Sequence, residues 1–192
     1  MGRRSRYAGE IDKTRPWFKT RDGLTLRSRL IRPDDAPLLL DLFAHLSTET
    51  RRRRFHIDVD RVDERTKQQR AVELADVDNR TQGGAVLALT TSEDGSEHIV
   101  GVARLARPVG EPDHPEAEAA ITVRDDFQRR GVGAELLRRM VLLAKRMQVR
   151  TIIAAIEADN HAALRLFRGL ALPTEASTHH AETTMRIDVP VA

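Results

Sequence analysis

Cysteine is absent from the 192-residue chain. Disulfide bonds, thiolate metal sites and a cysteine acyl-enzyme are therefore excluded, and the composition suits a reducing compartment such as the cytoplasm. Long apolar runs are also absent, because none in the sequence approaches the ~20 residues that a membrane helix needs. Met1 to Arg6 are basic but are followed by no apolar segment, so we expect no secretory signal, no membrane association and a cytoplasmic protein.

Aromatic residues and lysine are both scarce. Aromatic residues form 4% of the chain and hydrophobic residues 40%, so we expect a core built from Leu, Val, Ile and Ala. Arginine supplies most of the positive charge, but the formal net charge is only +3 because acidic residues nearly balance the basic ones. We therefore do not expect nucleic acid as a partner. The run Arg51–Arg54 would point in several directions on a helix, and we interpret it as a solvated or salt-bridged helix.

Turn signals and hydrophobic periodicity predict a basic N-terminal arm over residues 1–15 and one α/β domain over residues 16–192. Asp22-Gly23 and Glu93-Asp94-Gly95 each separate two β-prone segments and predict hairpins. The β-branched run at 151–157 predicts a strand buried on both faces. Helices are predicted at about residues 38–46, 47–55, 61–73, 133–149 and 162–170, and further strands at about 24–31, 85–89, 99–105, 118–123 and 184–189.

The most informative segment runs from a predicted strand through a glycine-containing loop into the best predicted helix. The first turn of a helix presents N–H groups without intrahelical partners and favours an anion. In this loop Gly131 and Gly133 would let the backbone approach a phosphate closely. A Rossmann fingerprint is excluded because Leu136 stands at its third glycine position, and the Gly-Lys-Ser/Thr of a Walker loop does not occur.

Two motifs resemble the GNAT superfamily of N-acetyltransferases. The segment from Gln128 to Gly133 matches the superfamily's Gln/Arg-x-x-Gly-x-Gly/Ala signature, and Asn160-x-x-Ala163 follows the strand predicted at 151–157 as the superfamily's second motif does. The resemblance implies an α/β fold with a central mixed, mostly antiparallel sheet of six to seven strands flanked by about four helices. It also implies acetyl-CoA as the cosubstrate.

The resemblance assigns roles to individual residues. The oxyanion formed on the thioester would be stabilised by backbone N–H groups of Ile121, Thr122 and Val123. Phe167 stands where the superfamily often has tyrosine and cannot act as an acid, so the thiolate, with a pKa of about 8.5, leaves unaided or is protonated by water. Ala171-Leu172 replaces the superfamily's glycine-aromatic pair. The coenzyme would be bound by Gln128, Arg129, Arg130, Gly131, Val132, Gly133 and Ala134 at its pyrophosphate and by Asn160, Ala163 and Phe167 along its pantetheine arm.

The N-terminal half carries a narrower resemblance. Asp22-Gly23, Ile31–Ala36 and Leu46–Phe55 are similar to segments of the catalytic domain of bacterial protein lysine acetyltransferases. That resemblance implies a protein lysine as the acceptor amine and places the catalytic glutamate at Glu118. Glu116 is the rival base, because it lies two residues earlier on the same strand face if the strand extends that far.

Other functions stay open. Within the enzymes, the acceptor is alternatively a small amine such as an aminoglycoside, a polyamine or an amino acid. Outside them, the chain is alternatively a non-catalytic acyl-CoA sensor or a basic nucleic-acid-binding module. His114, His179 and His180 lack the spacing of a metal cluster, so we expect no metal. We expect a monomer or a homodimer.

Overall fold

The structure of the protein is a computed structural model that describes residues 16–55 and 62–190. The predicted arm at 1–15 lies outside the described residues. Within them the chain forms five α-helices and eight strands. The helices are α1 (Ala36–Ala44), α2 (Thr48–Phe55), α3 (Glu64–Ala75), α4 (Val132–Arg146) and α5 (His161–Arg168). The strands are β1 (Trp17–Lys19), β2 (Thr25–Leu30), β3 (Gly83–Thr91), β4 (Glu97–Ala106), β5 (Glu116–Val123), β6 (Thr151–Glu157), β7 (Thr174–His179) and β8 (Glu182–Asp188).

All eight strands belong to one sheet, in the order β1-β2-β3-β4-β5-β6-β8-β7. Neighbouring strands are antiparallel except β5 and β6, which are parallel. This architecture confirms the predicted mixed, mostly antiparallel α/β fold, with one strand more than the upper expected number and five helices instead of about four. The strand without a sequence signal is β7, because all six of its residues are exposed and it shows no alternation of apolar and polar positions.

Two hydrophobic clusters cover the two faces of the sheet. One lies under α4 and α5, where Leu136, Leu137 and Met140 of α4 are fully buried. The other lies under α1 and α3 and includes Leu42 of α1 and Ile99 of β4. The predicted apolar stripe of α4 is therefore confirmed as the side of the helix that packs on the sheet. A functional site is therefore expected where the helices leave part of the sheet uncovered.

Strand β6 corrects one expectation. Its β-branched run was expected to be buried on both faces, but its exposure alternates, with Ile152, Ala154 and Ile156 buried. The intervening residues Ile153 and Ala155 line an open cleft. The reason is tertiary: the cluster under α4 and α5 covers the face of β6 that carries Ile152, Ala154 and Ile156, whereas the opposite face borders the cleft.

Candidate active site

A cleft opens in the sheet where β5 and β6 part. The two strands pair only from Glu116↔Thr151 to Glu118↔Ile153, although β5 continues to Val123 and β6 to Glu157. Beyond the last pair lies a cleft of about 1240 Å³, lined by the unpaired halves of both strands and by residues of α2, α4 and α5. We call it the β5–β6 cleft.

The amides of β5 alternate in direction across this cleft. The Arg124 amide, just after β5, donates to the carbonyl of Val100 in β4, at 2.9 Å. In an antiparallel pair every second residue bonds the same neighbour, so the amide of Thr122 points to β4 and those of Ile121 and Val123 point to the cleft. Thr122 was expected to offer its amide to an oxyanion; this direction contradicts that role. Ile121 and Val123 remain as donors.

The loop before α4 keeps its amides unengaged. No described residue accepts a hydrogen bond from the N–H groups of residues 129–134, and the first amide of α4 with a partner is that of Glu135, which donates to the Gly131 carbonyl at 3.2 Å. The loop is instead fixed through a carbonyl group, because the Arg21 amide donates to the Arg130 carbonyl at 2.9 Å. A row of N–H groups at the head of a fifteen-residue helix thus faces the cleft.

The two glycines of the loop are required for different reasons. Gly131 has φ +90°, a left-handed conformation that is strained for residues with a Cβ. At Gly133 an added Cβ would lie 3.0 Å from Cδ2 of Leu166. The expectation that both glycines serve the approach of a phosphate is thus modified: Gly133 already allows α5 to pack closely on α4.

The side chains of the predicted loop residues diverge. Gln128 donates to the carbonyl of Val123 at 3.1 Å, which ties the loop to the end of β5. Arg129 is exposed at the cleft. Arg130 pairs with Asp22 at 2.5 Å and therefore turns away from the cleft. Val132 is buried in the core, so Arg130 and Val132 can contribute only backbone groups to a ligand.

The second motif forms the start of α5. The Oδ1 of Asn160 accepts from the Ala163 amide at 3.1 Å and caps the helix, which is the usual stabilising role of Asn at such a position. Ala163 also lines the cleft, and Phe167 is 2% exposed and forms part of its floor. Of the Asn160 side chain, the Nδ2 donors remain for a ligand.

The two candidate carboxylates differ in their surroundings. Strand β5 does extend to Glu116, but this side chain lies outside the cleft lining and forms an ion pair with Arg186. The hydrogen bond from Arg186 lowers the pKa of Glu116 below its usual value. Glu118 is exposed and lines the cleft. The geometry therefore favours Glu118 over Glu116 as a proton acceptor for a molecule in the cleft.

Helix α2 forms the opposite wall of the cleft, a feature that the sequence did not indicate. At its start, the Ser47 amide and the Thr50 hydroxyl donate to the Asp125 carboxylate at 2.9 and 2.8 Å. At its far end, Arg52 pairs with Glu157 of β6 at 2.9 Å. The run Arg51–Arg54 was interpreted as a solvated or salt-bridged helix, and at Arg52 it is salt-bridged. Asp125 and Glu157 lie far from α2 in sequence, so only the tertiary structure could reveal these contacts.

Charge is unevenly distributed along the cleft. Carboxylates of Glu118, Glu157 and Glu182 line the part near α2 and the end of β6. Cationic side chains of Arg21, Arg129, Arg138 and Arg165 line the part near α4 and α5, and those of Arg53 and Arg54 line the part near α2. The part near α4 and α5 therefore matches a phosphate-bearing molecule, whereas the part near α2 presents charges of both signs.

Two further structural findings bear on the function. In residues 16–55 and 62–190 we find no group of three or more His, Asp and Glu residues that could hold a metal ion. None of the helices in this part of the chain has the length and apolar character needed to cross a lipid bilayer.

Comparison with known proteins identifies the same domain in solved structures. The GNAT domain of PAT from S. lividans superposes with a TM-score of 0.74, at 23% identity over 90% of this chain and 95% of that one. A cAMP-binding acyltransferase from Mycobacterium smegmatis gives 0.58 at 24% identity, covering 91% of this chain but only 46% of its own length. The chain thus spans about half of that protein.

A third solved structure, yncA from Salmonella typhimurium with its cofactor acetyl-CoA, gives a TM-score of 0.62 at 17% identity over 87% of this chain and 95% of that one. At such identities the likeness establishes the fold alone. A search of curated proteins gave no significant match. The family model described as acetyltransferase (GNAT) domain matches residues 24–171, which is well over half of the chain. With the loop, the cleft and this match in agreement, the chain belongs to the GNAT acetyltransferase family, whose members transfer an acetyl group from acetyl-CoA.

Proposed function

We propose that the protein acetylates the side-chain amine of protein lysines, with Glu118 as the general base. The observation that carries the proposal is the β5–β6 cleft, which has unengaged amides on one wall and an exposed carboxylate in its lining. The similarity of Asp22-Gly23, Ile31–Ala36 and Leu46–Phe55 to segments of bacterial protein lysine acetyltransferases supports a protein lysine as the acceptor. We further propose that residues 16–192 are the catalytic domain, that residues 1–15 are an arm, and that the protein acts in the cytoplasm.

Acetyl-CoA fits the wall formed by α4 and α5. The amides of residues 129–134 would bind its diphosphate, because they combine free N–H groups with the positive end of the α4 dipole. Arg129 and Arg165 would screen the remaining phosphate charge. The pantetheine arm would lie between β5 and β6, beside Asn160 and Phe167. Acetyl-CoA supplies the activated acetyl group as a thioester.

Glu118 would prepare the amine. A lysine has a pKa of about 10.4, so forming its neutral amine at pH 7 costs roughly 4 to 5 kcal/mol unless the site assists. A carboxylate in the cleft lining can take this proton directly or through one water molecule. The neutral nitrogen then attacks the thioester carbonyl carbon, the new C–N bond forms, and the C–S bond breaks. The nitrogen loses its extra proton to water, which leaves a neutral amide.

The amides of Ile121 and Val123 would stabilise the negative charge that develops on the carbonyl oxygen. They point to the cleft by the alternation in β5 and are not part of the short β5–β6 ladder. Phe167 has no proton to donate, so the leaving sulfur departs as thiolate or takes a proton from water. A thiol pKa of about 8.5 makes this departure accessible without a protein acid.

A titration followed by an activity screen tests the proposal. Calorimetry with acetyl-CoA measures cofactor binding, and thiol release is then followed over lysine peptides, polyamines, aminoglycosides and free amino acids. We expect binding, and release with lysine peptides. Release only with small amines would make the protein a small-molecule acetyltransferase, and binding without release from any amine would make it an acyl-CoA sensor.

A further inference from the structure

Arg54, in the last turn of α2, lines the same cleft as Glu118. Its guanidinium carbon lies 5.2 Å from the centroid of the Phe55 ring. Burial lowers the pKa of Arg54 below its ordinary value. Among the described residues no carboxylate lies within ion-pair distance of Arg54. The neighbouring Arg52 and Arg53, in contrast, both pair with Glu49.

A second arginine, Arg104, lies within electrostatic range of Arg54. Arg104 of β4 is opposite Ala120 of β5, and Glu118 is two residues from Ala120, so Arg104 and Glu118 project from the same face of the sheet. Burial, and secondarily the charge of Arg54, lowers the pKa of Arg104 to about 10. The hydrogen bond that the structure gives to Arg104 goes to a carbonyl of α3, that of Leu74, at 2.5 Å. No carboxylate of the described chain neutralises either guanidinium.

Two other arginines that are largely removed from solvent are satisfied by the fold itself. Arg107 is 6% exposed and donates to the carbonyls of Thr81, His114 and Met147. Arg29 pairs with Asp35 at 2.6 Å. Arg54 and Arg104 are half-buried; removing a cation from water without a counter-charge is destabilising, and perturbed groups of this kind concentrate at binding sites. Arg54 and Arg104 therefore differ from the structural arginines in lacking the negative charge that a ligand would bring.

The position of the pair separates it from the phosphate-binding wall. Arg104 contacts α3, which covers the sheet face opposite to α4 and α5. An anion there would lie beside Glu118. A molecule that carries an amine and, a few bonds away, a carboxylate would satisfy Glu118 with the first group and Arg54 with the second.

We propose that Arg54, backed by Arg104, binds a carboxylate of the acceptor, so that the preferred acceptor lysine is flanked by an acidic residue. This inference rests on the proposed lysine acetyltransferase function and specifies its substrate. Arg54 would be a specificity-determining residue that contacts the substrate but not the atoms that react.

A two-by-two cycle of enzyme and peptide tests this inference. Two peptides are identical except for Glu or Gln beside the lysine, and each is assayed with the wild type and with Arg54→Gln. Since a hydrogen bond to a charged group is worth about 1.5–3 kcal/mol, we expect kcat/KM of the wild type to favour the Glu peptide by about tenfold or more. With Arg54→Gln the ratio should fall below about twofold.

Two further variants complete the design. Arg54→Lys keeps the charge and should retain part of the preference. Arg70→Gln removes one charge from α3, where Arg70 is exposed and paired with Glu73, and should leave the peptide ratio unchanged. If Arg54→Gln does not fold, the peptide ratio of the wild type and of Arg54→Lys still decides.

The outcomes separate the two proposals. The inference would be overturned if the wild type acetylates both peptides at equal rates, or if Arg54→Gln keeps the preference for the Glu peptide. In either case the lysine acetyltransferase function would stand. Acetyl-CoA binding without acetylation of any lysine peptide would overturn the function, and the inference with it.

Discussion

The two walls of the β5–β6 cleft are built in different ways. The wall formed by the loop at 128–134 and by α5 comes from two continuous segments and presents mainly backbone amides. The α2 wall is held in place by side chains, through Asp125 at one end and Glu157 at the other. In the proposed binding mode, a diphosphate would meet groups whose positions depend on local backbone conformation, whereas an acceptor would meet groups whose positions depend on the whole fold.

This difference has a practical consequence. The amide wall should tolerate changes of side chain but not the addition of a Cβ at a left-handed position. The position of the α2 wall should change little with small shifts of its backbone, but it should change when a charged side chain that anchors it is lost. Three substitutions, each with a matched control, and one change of pH test the contrast.

The largest effect is expected at Glu118. Glu118→Gln keeps the size of the side chain but removes the proton acceptor, so kcat should fall about 10²–10⁴-fold. The affinity for acetyl-CoA should stay near that of the wild type, because Glu118 faces the acceptor. Glu116→Gln is the control and should change kcat only slightly, since Glu116 is engaged with Arg186 outside the cleft. Steady-state kinetics and calorimetry check both; equal turnover in Glu118→Gln would remove this residue from the role.

The amide wall is tested at Gly131. Gly131→Ala forces a Cβ into a residue with φ +90°, a conformation that is unfavourable by about 1–2 kcal/mol for other residues. We expect the Kd for acetyl-CoA to rise about tenfold as the loop rearranges. Gly95→Ala in the β3–β4 hairpin has a similar φ of +84° and open space around it, so it should lower the melting temperature without a change of Kd. An equal Kd in the two variants would contradict a role for this loop.

The α2 wall is tested at Asp125. Asp125→Asn removes the charge that Ser47 and Thr50 hydrogen-bond. We expect KM for the acceptor to rise about three- to tenfold, since hydrogen bonds to a charged group are stronger than neutral ones, while the Kd for acetyl-CoA changes less. Asp94→Asn is the control, because Asp94 makes similar bonds to Ser96 in a hairpin outside the cleft. A larger change in cofactor binding than in acceptor KM would show that α2 does not form an acceptor wall.

The smallest effect concerns pH. Burial alone would raise the pKa of Asp125, but hydrogen bonds from Ser47 and Thr50 outweigh it and lower the pKa. Hydrogen bonds from Arg52 and then Arg53 lower the pKa of Glu49 to about 2. A lowered pKa contributes stability that is complete above the unfolded value, about 3.9 for Asp and 4.3 for Glu, and is lost as pH falls through the folded value.

The carboxylates of Asp125 and Glu49 should therefore stay ionised between about pH 5 and pH 9. The α2 wall should keep the same charges over this range. Thermal melts of the wild type and of Asp125→Asn should differ by a constant amount over this range, and the difference should shrink below about pH 4. Any pH dependence of the rate near neutrality would then belong to groups outside the α2 wall, such as the acceptor amine. A difference in melting temperature that changes between pH 6 and pH 8 would contradict this assignment.

The elements with strong local signals were predicted well. The stripe of α4, the hairpin at Glu93-Asp94-Gly95 and the helices at 48–55 and 161–168 lie where periodicity and turn residues placed them. Strand β7 was not located, because its six residues are exposed and lack alternation. The buried-on-both-faces prediction for β6 was wrong, because apolar side chains that line a cleft have the same composition as those in a core.

The candidate site divides in the same way. The loop before α4 and the Asn160 cap are short-range features, so their residue types and spacing were visible in the sequence. The direction of the Thr122 amide, the ion pair that engages Glu116 and the proximity of Arg54 to Arg104 depend on strand register and on packing between distant segments.

By itself the sequence determined a mostly antiparallel α/β fold and a glycine-containing loop at the start of a long helix, because hydrophobic period and turn residues are properties of neighbouring residues. Only the tertiary structure decided where the sheet opens, which carboxylate faces the opening and which arginines lack a counter-charge. These depend on where β5 stops pairing with β6 and on how α2 is anchored across the gap, and both are set by contacts between residues far apart in the chain.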